Sequence, residues 1–503
     1  MCGIVGIVGS REASREVLIA LQAVQHRGQD SCGIATINGE RFPFIRKLGL
    51  AGRAFNEEDL SRLPGIISVG HTRYPTVGRG SLADAQPLFY RQPGVLLAHN
   101  GNLVNYSDLV QRLHDKSVHL LTNCDAEPLL CEFALNLMEI RDRDHTIEDA
   151  YNALCKTWKV VDGAYSIVAA MILDGKETLI AARDYRGIRP AVWGERKGAF
   201  MVASESPALD ALGFKARGDI EAGEVIFFQA GKQPVRKKIA PGDPAPCIFE
   251  QIYFARPDSN VEGRSVYSQR LALGRALAGE LVEKGIQAEV VIPIPDTSRP
   301  AAMALAEELS IPYREGFIKN RYTGRTFIMG DQAKRRSELR LKLNPIRSEF
   351  EGKDVLLVDD SIVRGTTLAR TISIVRGQGA EKVHLAIYSP PVLFPCYYGI
   401  DMSTREELAA RIFEPSPPKG GLDMERQRRL EEEFAGQLGL DTLTYLSVEK
   451  MDGTWNSERC AACFDGRYPI PLSEEKKKAI ENDRRSGRDQ RQFDLRFRFI
   501  DAG

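Results

Sequence analysis

No stretch of this chain approaches the ~20 consecutive apolar residues that a membrane-spanning helix requires, so no transmembrane anchor is expected. The start, Met1-Cys2-Gly3-Ile4, lacks the basic region and apolar core of a secretory signal. Neither sign of charge prevails: 68 Lys and Arg stand against 68 Asp and Glu. A general nucleic-acid or membrane-surface binder is therefore not expected. The 9 cysteines are odd in number and scattered along the chain. That is no disulfide framework, and it points to a reducing cytoplasm. What remains is a chain of 503 residues with 43% apolar and 27% charged residues. It has the composition of a globular protein and length for two or three domains.

The strongest local pattern is Val355-Leu356-Leu357-Val358-Asp359-Asp360-Ser361-Ile362-Val363-Arg364-Gly365-Thr366-Thr367. Four apolar residues predict a buried parallel strand. Helical spacing follows through Leu368, Ile372 and Val375, and Val383 to Tyr388 reads as the next strand. Ligands of α/β sheets collect in such a strand-to-helix loop. Its amides favour an anion, and its carboxylates suit a sugar diol or a ligand-borne Mg²⁺. A second strand, loop and helix run from Glu289 through Asp296, Thr297 and Ser298 to Leu309, after a helix expected over Tyr267 to Lys284.

At the other end, Cys2 precedes the strand-like run Ile4 to Val8. Loss of Met1 would expose a thiol nucleophile and an α-amine on one residue, and an amine near its reference pKa of ~8 can serve as general base. A core-facing helix is expected over Glu12 to Gln25. After it come His26-Arg27-Gly28, Val69-Gly70-His71-Thr72-Arg73-Tyr74, Ala98-His99-Asn100-Gly101 and Asn123-Cys124-Asp125.

These segments, in this order, resemble the glutaminase domain of class II glutamine amidotransferases, N-terminal-nucleophile hydrolases with an αββα sandwich. The resemblance implies Cys2 as nucleophile and Asn100 with Gly101 as oxyanion donors. It also implies Arg27, Arg73 and Asp125 as the glutamine-binding set. Preformed donors suit a developing oxyanion, and a guanidinium fork suits a carboxylate. His71 and His99 read as structural. Cys32, Cys124, Cys131 and Cys155 read as small buried hydrophobes.

The Val355 to Thr367 run resembles the phosphoribosyl-diphosphate (PRPP) loop of type I phosphoribosyltransferases. The resemblance implies PRPP contacts at Asp359, Asp360, Ser361, Arg364, Gly365, Thr366 and Thr367. It implies Mg²⁺ near Thr297, Asp359 and Asp360. A loop bearing Lys319, Arg321 and Tyr322 would close over the sugar and shield it from water. Met329-Gly330-Asp331-Gln332 departs from the proline-bearing pattern of many relatives, which leaves the detail of that loop open.

Taken together, Cys2 to about Pro471 resembles the amidophosphoribosyltransferases of purine synthesis. One branch of that family holds a [4Fe-4S] cluster on four cysteines, matched here by Cys247, Cys396, Cys460 and Cys463. Four thiolates suit Fe–S or Zn²⁺, and another branch has no metal there. The resemblance further implies inhibition by purine nucleotides and a homotetramer.

The expected organisation is a glutaminase domain over 2–240, a phosphoribosyltransferase α/β domain over 241–471 and a charged surface tail over 472–503. Low apolar content over Gly231 to Pro246 suggests the boundary. A regulatory or packing helix is expected within Glu406 to Thr442. Two alternatives stand beside this reading: another class II amidotransferase, or a non-catalytic nucleotide sensor on the same fold.

Overall fold

A computed structural model describes residues 2–74, 82–319, 343–402, 404–455 and 457–487. The first 240 residues build two antiparallel sheets. The seven-stranded sheet runs, in spatial order, through Lys215–Asp219, Val192–Arg196, Ala199–Ala203, Gly3–Val8, Ile67–Arg73, Ser31–Ile37 and Phe44–Leu48. The six-stranded sheet runs through Val235–Lys238, Glu224–Phe228, Lys176–Arg183, Gly163–Leu173, Val95–Leu103 and Leu88–Tyr90.

Strand alternation explains how the layers stack. Ile4 and Val8 pack with Leu96, Ala98 and Val168 between the sheets. Val5 and Ile7 point the other way, onto Val17 and Leu21 of the helix Ala13–Ala23. Beyond the second sheet, Leu97, Ile167 and Ala169 meet Leu129 and Phe133 of Ala126–Ile140 and Leu154 of Ile147–Trp158. The order is helix, sheet, sheet, helix. Cys2 therefore lies at the edge of a strand whose two faces are both covered.

The low-apolar stretch after Gly231 is not wholly a connector, because Val235–Lys238 pairs with Glu224–Phe227 as an edge strand. Such a strand is solvated on one side and tolerates Lys and Arg, so composition alone reads it as linker.

The second unit has a four-stranded parallel sheet in the order Val290–Pro293, Asp354–Asp359, Lys382–Ile387 and Thr442–Tyr445. Val355 to Val358 are all buried, as a central parallel strand demands. The helices Val266–Glu283 and Arg299–Leu309 cover one face with Leu273, Leu277 and Leu305. On the other face lie Leu368 and Ile372 of Thr366–Gly377, with Leu430, Phe434 and Leu438 of Met424–Leu438. The last of these is the packing helix expected before Thr442. It starts at Asp423, whose side chain accepts a hydrogen bond from the Arg426 amide at 2.8 Å, and it stops at Gly439 with φ +70°.

The tail differs from expectation. Glu474–Gly487 is a helix docked on the protein. Glu481 accepts from the Tyr397 hydroxyl at 2.7 Å and from Arg405 Nε at 3.1 Å, and Arg484 Nη1 donates to the Cys396 carbonyl at 2.8 Å. Its inward face is made of charged side chains that find partners, so the sequence carries no apolar stripe to reveal it. Among the described residues no helix is long and apolar enough to cross a membrane.

Candidate active sites

Cys2 is 8% exposed at the start of its strand. Its backbone nitrogen donates to Asn100 Oδ1 at 3.1 Å, and its Sγ lies 3.8 Å from the Tyr74 carbonyl oxygen. Asn100 is fully buried, and its Nδ2 has no hydrogen-bond partner among the described residues. A buried amide donor without an acceptor is costly unless something else supplies the acceptor. It lies on the side chain whose oxygen already holds the Cys2 nitrogen, which is where a developing oxyanion would need it.

Arg73, at the end of the Ile67–Arg73 strand, is buried with Cys124, Cys2 and Asp125 around it. Burial disfavours its charge, but these groups more than offset that and hold the guanidinium protonated. Asp125 accepts from the Leu103 amide at 3.1 Å. His99 Nδ1 lies 3.9 Å from Asp125 Oδ1, and the Nε2 of His71 lies 3.2 Å from the His99 carbonyl oxygen. Burial lowers the pKa of both rings, which keeps them neutral at pH 7.

Two expectations change here. Cys124 is not simply a hydrophobe: its Sγ accepts from Arg73 Nη1 at 3.1 Å and from Gln86 Nε2 at 3.3 Å. No metal-like spacing marks it, and the only sequence cue was its position directly before Asp125. Burial pushes its thiol up to about 11, so it stays a neutral contact.

Arg27 does not face the glutamine site. It is fully buried and paired with Glu205 on one side and Glu250 on the other, its Nη2 2.8 Å from Glu250 Oε2. Its nitrogens are committed to carboxylates that local sequence cannot place beside it.

Burial raises the Glu205 carboxyl, but Arg27, His26 and the Ser259 hydroxyl outweigh it and hold the group well below the usual carboxylate range. A lowered folded-state pKa gives stability that is present above the unfolded value near ~4.3 and is lost as pH falls below it. Thermal stability should therefore drop on acidification below about pH 5. Glu205→Gln should cost ~3 kcal/mol at pH 7 and flatten that acid limb, read from melting temperatures between pH 4 and 7.

The second site is a cleft of about 580 Å³ at the carboxyl end of the parallel sheet. One wall is the loop from Asp359 to Thr367. The other includes Phe249, Tyr253, Phe254 and, from the first unit, His26 and Tyr74. Asp360 Oδ1 accepts from the Ser361 hydroxyl at 2.6 Å, and Asp359 Oδ1 from the Asp360 amide at 2.9 Å. Burial and the adjacent Asp360 carboxylate raise Asp359 well above its ordinary range, and burial pushes Asp360 up to about 6. Gly365 takes φ +72° at the helix start and leaves Thr366 and Thr367 exposed beyond it. The loop therefore offers hydroxyls and a helix N-terminus beside two carboxylates that are costly to ionise without a cation or diol.

Arg364 borders the cleft but is turned onto Glu407, with Nε 3.0 Å from Oε2, and its Nη2 lies 3.5 Å from Asp401 Oδ2. Thr297 and Lys319 do not line the cleft. The Thr297 carbonyl lies 3.4 Å from the Tyr388 hydroxyl, and Lys319 pairs with Asp296 at 2.7 Å. Arg321 and Tyr322 lie outside the described residues.

Cys247, Cys396, Cys460 and Cys463 are buried, free and gathered in one core. The chain segments at Cys247 and Cys460 form a parallel bridge. Burial pushes Cys247 up to about 11, raises Cys460 and Cys463 well above the ordinary thiol value, and the neighbouring sulfurs add to this. Among the described residues no group of three or more His, Cys, Asp or Glu is arranged to hold a single metal ion.

Comparison with known proteins agrees with this geometry. The glutamine amidotransferase domain family matches residues 71–211, and the phosphoribosyl transferase domain family matches residues 265–389. The amidophosphoribosyltransferase of Pseudomonas aeruginosa is 40% identical over 483 residues, 93% of each chain. The chain belongs to the amidophosphoribosyltransferase family. The family member of Escherichia coli K12 is 44% identical over 421 residues, 82% of this chain and 83% of its own. The solved amidophosphoribosyltransferase structure of Bacillus subtilis, a glutamine PRPP amidotransferase complexed with ADP and GMP, superposes with a TM-score of 0.81 at 36% identity, covering 94% of this chain and 98% of that one. Likeness to this family spans both units, so neither half is matched in isolation.

Proposed function

We propose that the chain transfers the amide nitrogen of glutamine to PRPP, giving 5-phosphoribosylamine, glutamate and diphosphate, as the first committed step of purine nucleotide synthesis. The observation that carries this is the pairing, in one chain, of a buried Cys2–Asn100 site with a diacid-and-hydroxyl cleft.

In the glutaminase half, Cys2 Sγ attacks the carboxamide carbon of glutamine after removal of Met1. The nitrogen now held by Asn100 Oδ1 is then the α-amine, placed to take the thiol proton and return it to the departing ammonia. Asn100 Nδ2 and the Gly101 amide stabilise the oxyanion. Arg73 binds the substrate carboxylate and Asp125 the ammonium. Water then frees glutamate from the thioester. In the transferase half, ammonia attacks C1 of PRPP and diphosphate leaves. Ser361, Thr366, Thr367 and the Gly365 loop hold the 5-phosphate, and Asp359 with Asp360 holds the ribose hydroxyls. Arg364 must release Glu407 to reach the ligand.

The raised Asp359 and Asp360 fit a nearby cation, and they are the residues that would hold Mg²⁺ there. When bound it neutralises charge on the diphosphate. The four buried thiols fit a soft metal group. Four such thiols suit Fe–S or Zn²⁺ alike, and the resemblance to the cluster-bearing branch favours a [4Fe-4S] cluster. Its role here is structural, tying the segments around Cys247, Cys396 and Cys460 to one core. Protein purified without oxygen should contain about four iron per chain by metal analysis; zinc instead of iron would refute the cluster. Purine nucleotides as inhibitors, a homotetramer and a cytoplasmic location complete the reading. Inhibition is supported by a relative solved with ADP and GMP, the homotetramer by the family resemblance, and the location by the odd, scattered cysteines.

Incubation with glutamine, PRPP and Mg²⁺ should release glutamate and diphosphate in equal amounts. Glutamate without diphosphate would keep the first site and reject the acceptor. Neither product, from protein shown to lack Met1, would favour the sensor alternative.

A further inference from the structure

The two sites share a wall. Glu250 to Phe254 forms a single π-helical turn, a form that carries one residue more per turn than an α-helix and recurs at functional sites. One side of this turn presents Tyr253 and Phe254 to the acceptor cleft. The other presents Glu250, 1% exposed, to the glutaminase unit. There Glu250 Oε2 meets Arg27 Nη2 at 2.8 Å, and its Oε1 lies 3.4 Å from both Arg27 Nη1 and Arg189 Nη1. The Arg27 guanidinium also sits 5.2 Å from the centre of the Phe254 ring. Glu205 grips Arg27 from behind.

The residue after Arg27 carries the connection onward. A Cβ on Gly28 would fall 2.4 Å from the Thr72 carbonyl carbon and 2.6 Å from the Arg73 carbonyl carbon. The two backbones are thus in direct contact, with no side chain to cushion them. The Asp30 amide donates to the Arg73 carbonyl at 3.1 Å, which fixes the same two segments a second time. Arg73 faces Cys2, and the next residue, Tyr74, lends its carbonyl to the Cys2 thiol. The π turn therefore has a stiff route to the nucleophile through Glu250, Arg27, Gly28 and Arg73, beside the direct contact of the cleft residue Tyr74 with Cys2.

We propose that Glu250 and Arg27 are positioning residues, a buried strut through which occupancy of the acceptor cleft sets the alignment of Arg73 and Cys2. Glutaminase activity would then rise only when the acceptor is present. The inference rests on the proposed function, in which both sites are active in one chain, and adds that PRPP stimulates glutamine hydrolysis.

The test uses the full chain and measures three rates: glutamate release without PRPP, glutamate release with PRPP and Mg²⁺, and ammonia-dependent diphosphate release. Glu250→Asp keeps the buried charge, and with it the compensation of Arg27 and Arg189, but shortens the strut by one methylene. Glu250→Gln keeps the length but removes the charge. For each variant we expect the stimulation by PRPP to fall about 10-fold while the other two rates stay within about twofold of the unsubstituted chain.

A packing role alone would lower all three rates together, and that result overturns the proposal. So does full stimulation in Glu250→Asp, the variant that preserves the charge and so tests the strut even where Glu250→Gln fails to fold. An unsubstituted chain that forms both products without stimulation by PRPP also overturns the proposal, whereas one that releases neither glutamate nor diphosphate fails the proposed function itself, so the two failures are distinguished.

Discussion

Cys2→Ala should abolish glutamine-dependent product formation, by ~10⁴-fold or more, and leave ammonia-dependent formation within about twofold. The asymmetry follows from the architecture. Cys2 sits on the Gly3–Val8 sheet, and the reacting sugar belongs in a cleft at the end of a different, parallel sheet. Alanine removes the thiol beside the Tyr74 carbonyl and keeps the backbone nitrogen that Asn100 Oδ1 accepts from. The other thiols cannot substitute. Burial pushes Cys32 and Cys131 up to about 12 and Cys124 up to about 11, so each stays protonated at neutral pH. Loss of both activities would mean that the two halves do not work independently. Loss of neither would remove Cys2 from the mechanism.

Asp359→Asn should lower both the glutamine- and the ammonia-dependent rates by ~10³-fold, while glutamate release without PRPP is retained. Asp359 ends the central parallel strand, and the Asp360 amide donates to its Oδ1 at 2.9 Å. Burial raises both carboxyls, and the neighbouring Asp360 charge raises Asp359 further. Such a pair is a net cost to the fold, and binding of a cation or diol relieves it. The substitution should therefore stabilise the free protein slightly even as it disables transfer. Melting temperature and steady-state rates on the same preparation read both effects. A variant with normal ammonia-dependent activity would take Asp359 out of the acceptor site.

Much of this was legible because it is local. The Val355 to Thr367 run contains its own strand, loop and helix start, and the cleft is built around it. Cys2, Arg73, Asn100 and Asp125 are recognisable in the sequence from their motifs; strand pairing sets Gly3 opposite Thr72, and the facing sheet brings Asn100 to the Cys2 nitrogen.

What was hidden depends on distant partners. Arg27 reads as a site residue because it adjoins Gly28, yet its carboxylates are 178 and 223 residues away. Cys124 joins the site through Arg73 and Gln86, neither close in sequence. The tail helix was missed because its buried face is Lys477, Glu481 and Arg484, which composition reads as solvated. That helix also forms one side of a pocket of about 550 Å³ whose opposite side includes Asn102 and Asp125, so it reaches the neighbourhood of the glutamine-binding residues.

The central claim is that nitrogen released at Cys2 reaches the Asp359 cleft within the same molecule. The most direct test supplies amide-¹⁵N glutamine with PRPP and Mg²⁺ in the presence of excess unlabelled ammonium, and measures ¹⁵N in the phosphoribosylamine formed. The product should keep most of the label despite the surrounding pool. Label diluted to the level of the dissolved ammonium would contradict it, leaving two independent sites that happen to share one chain.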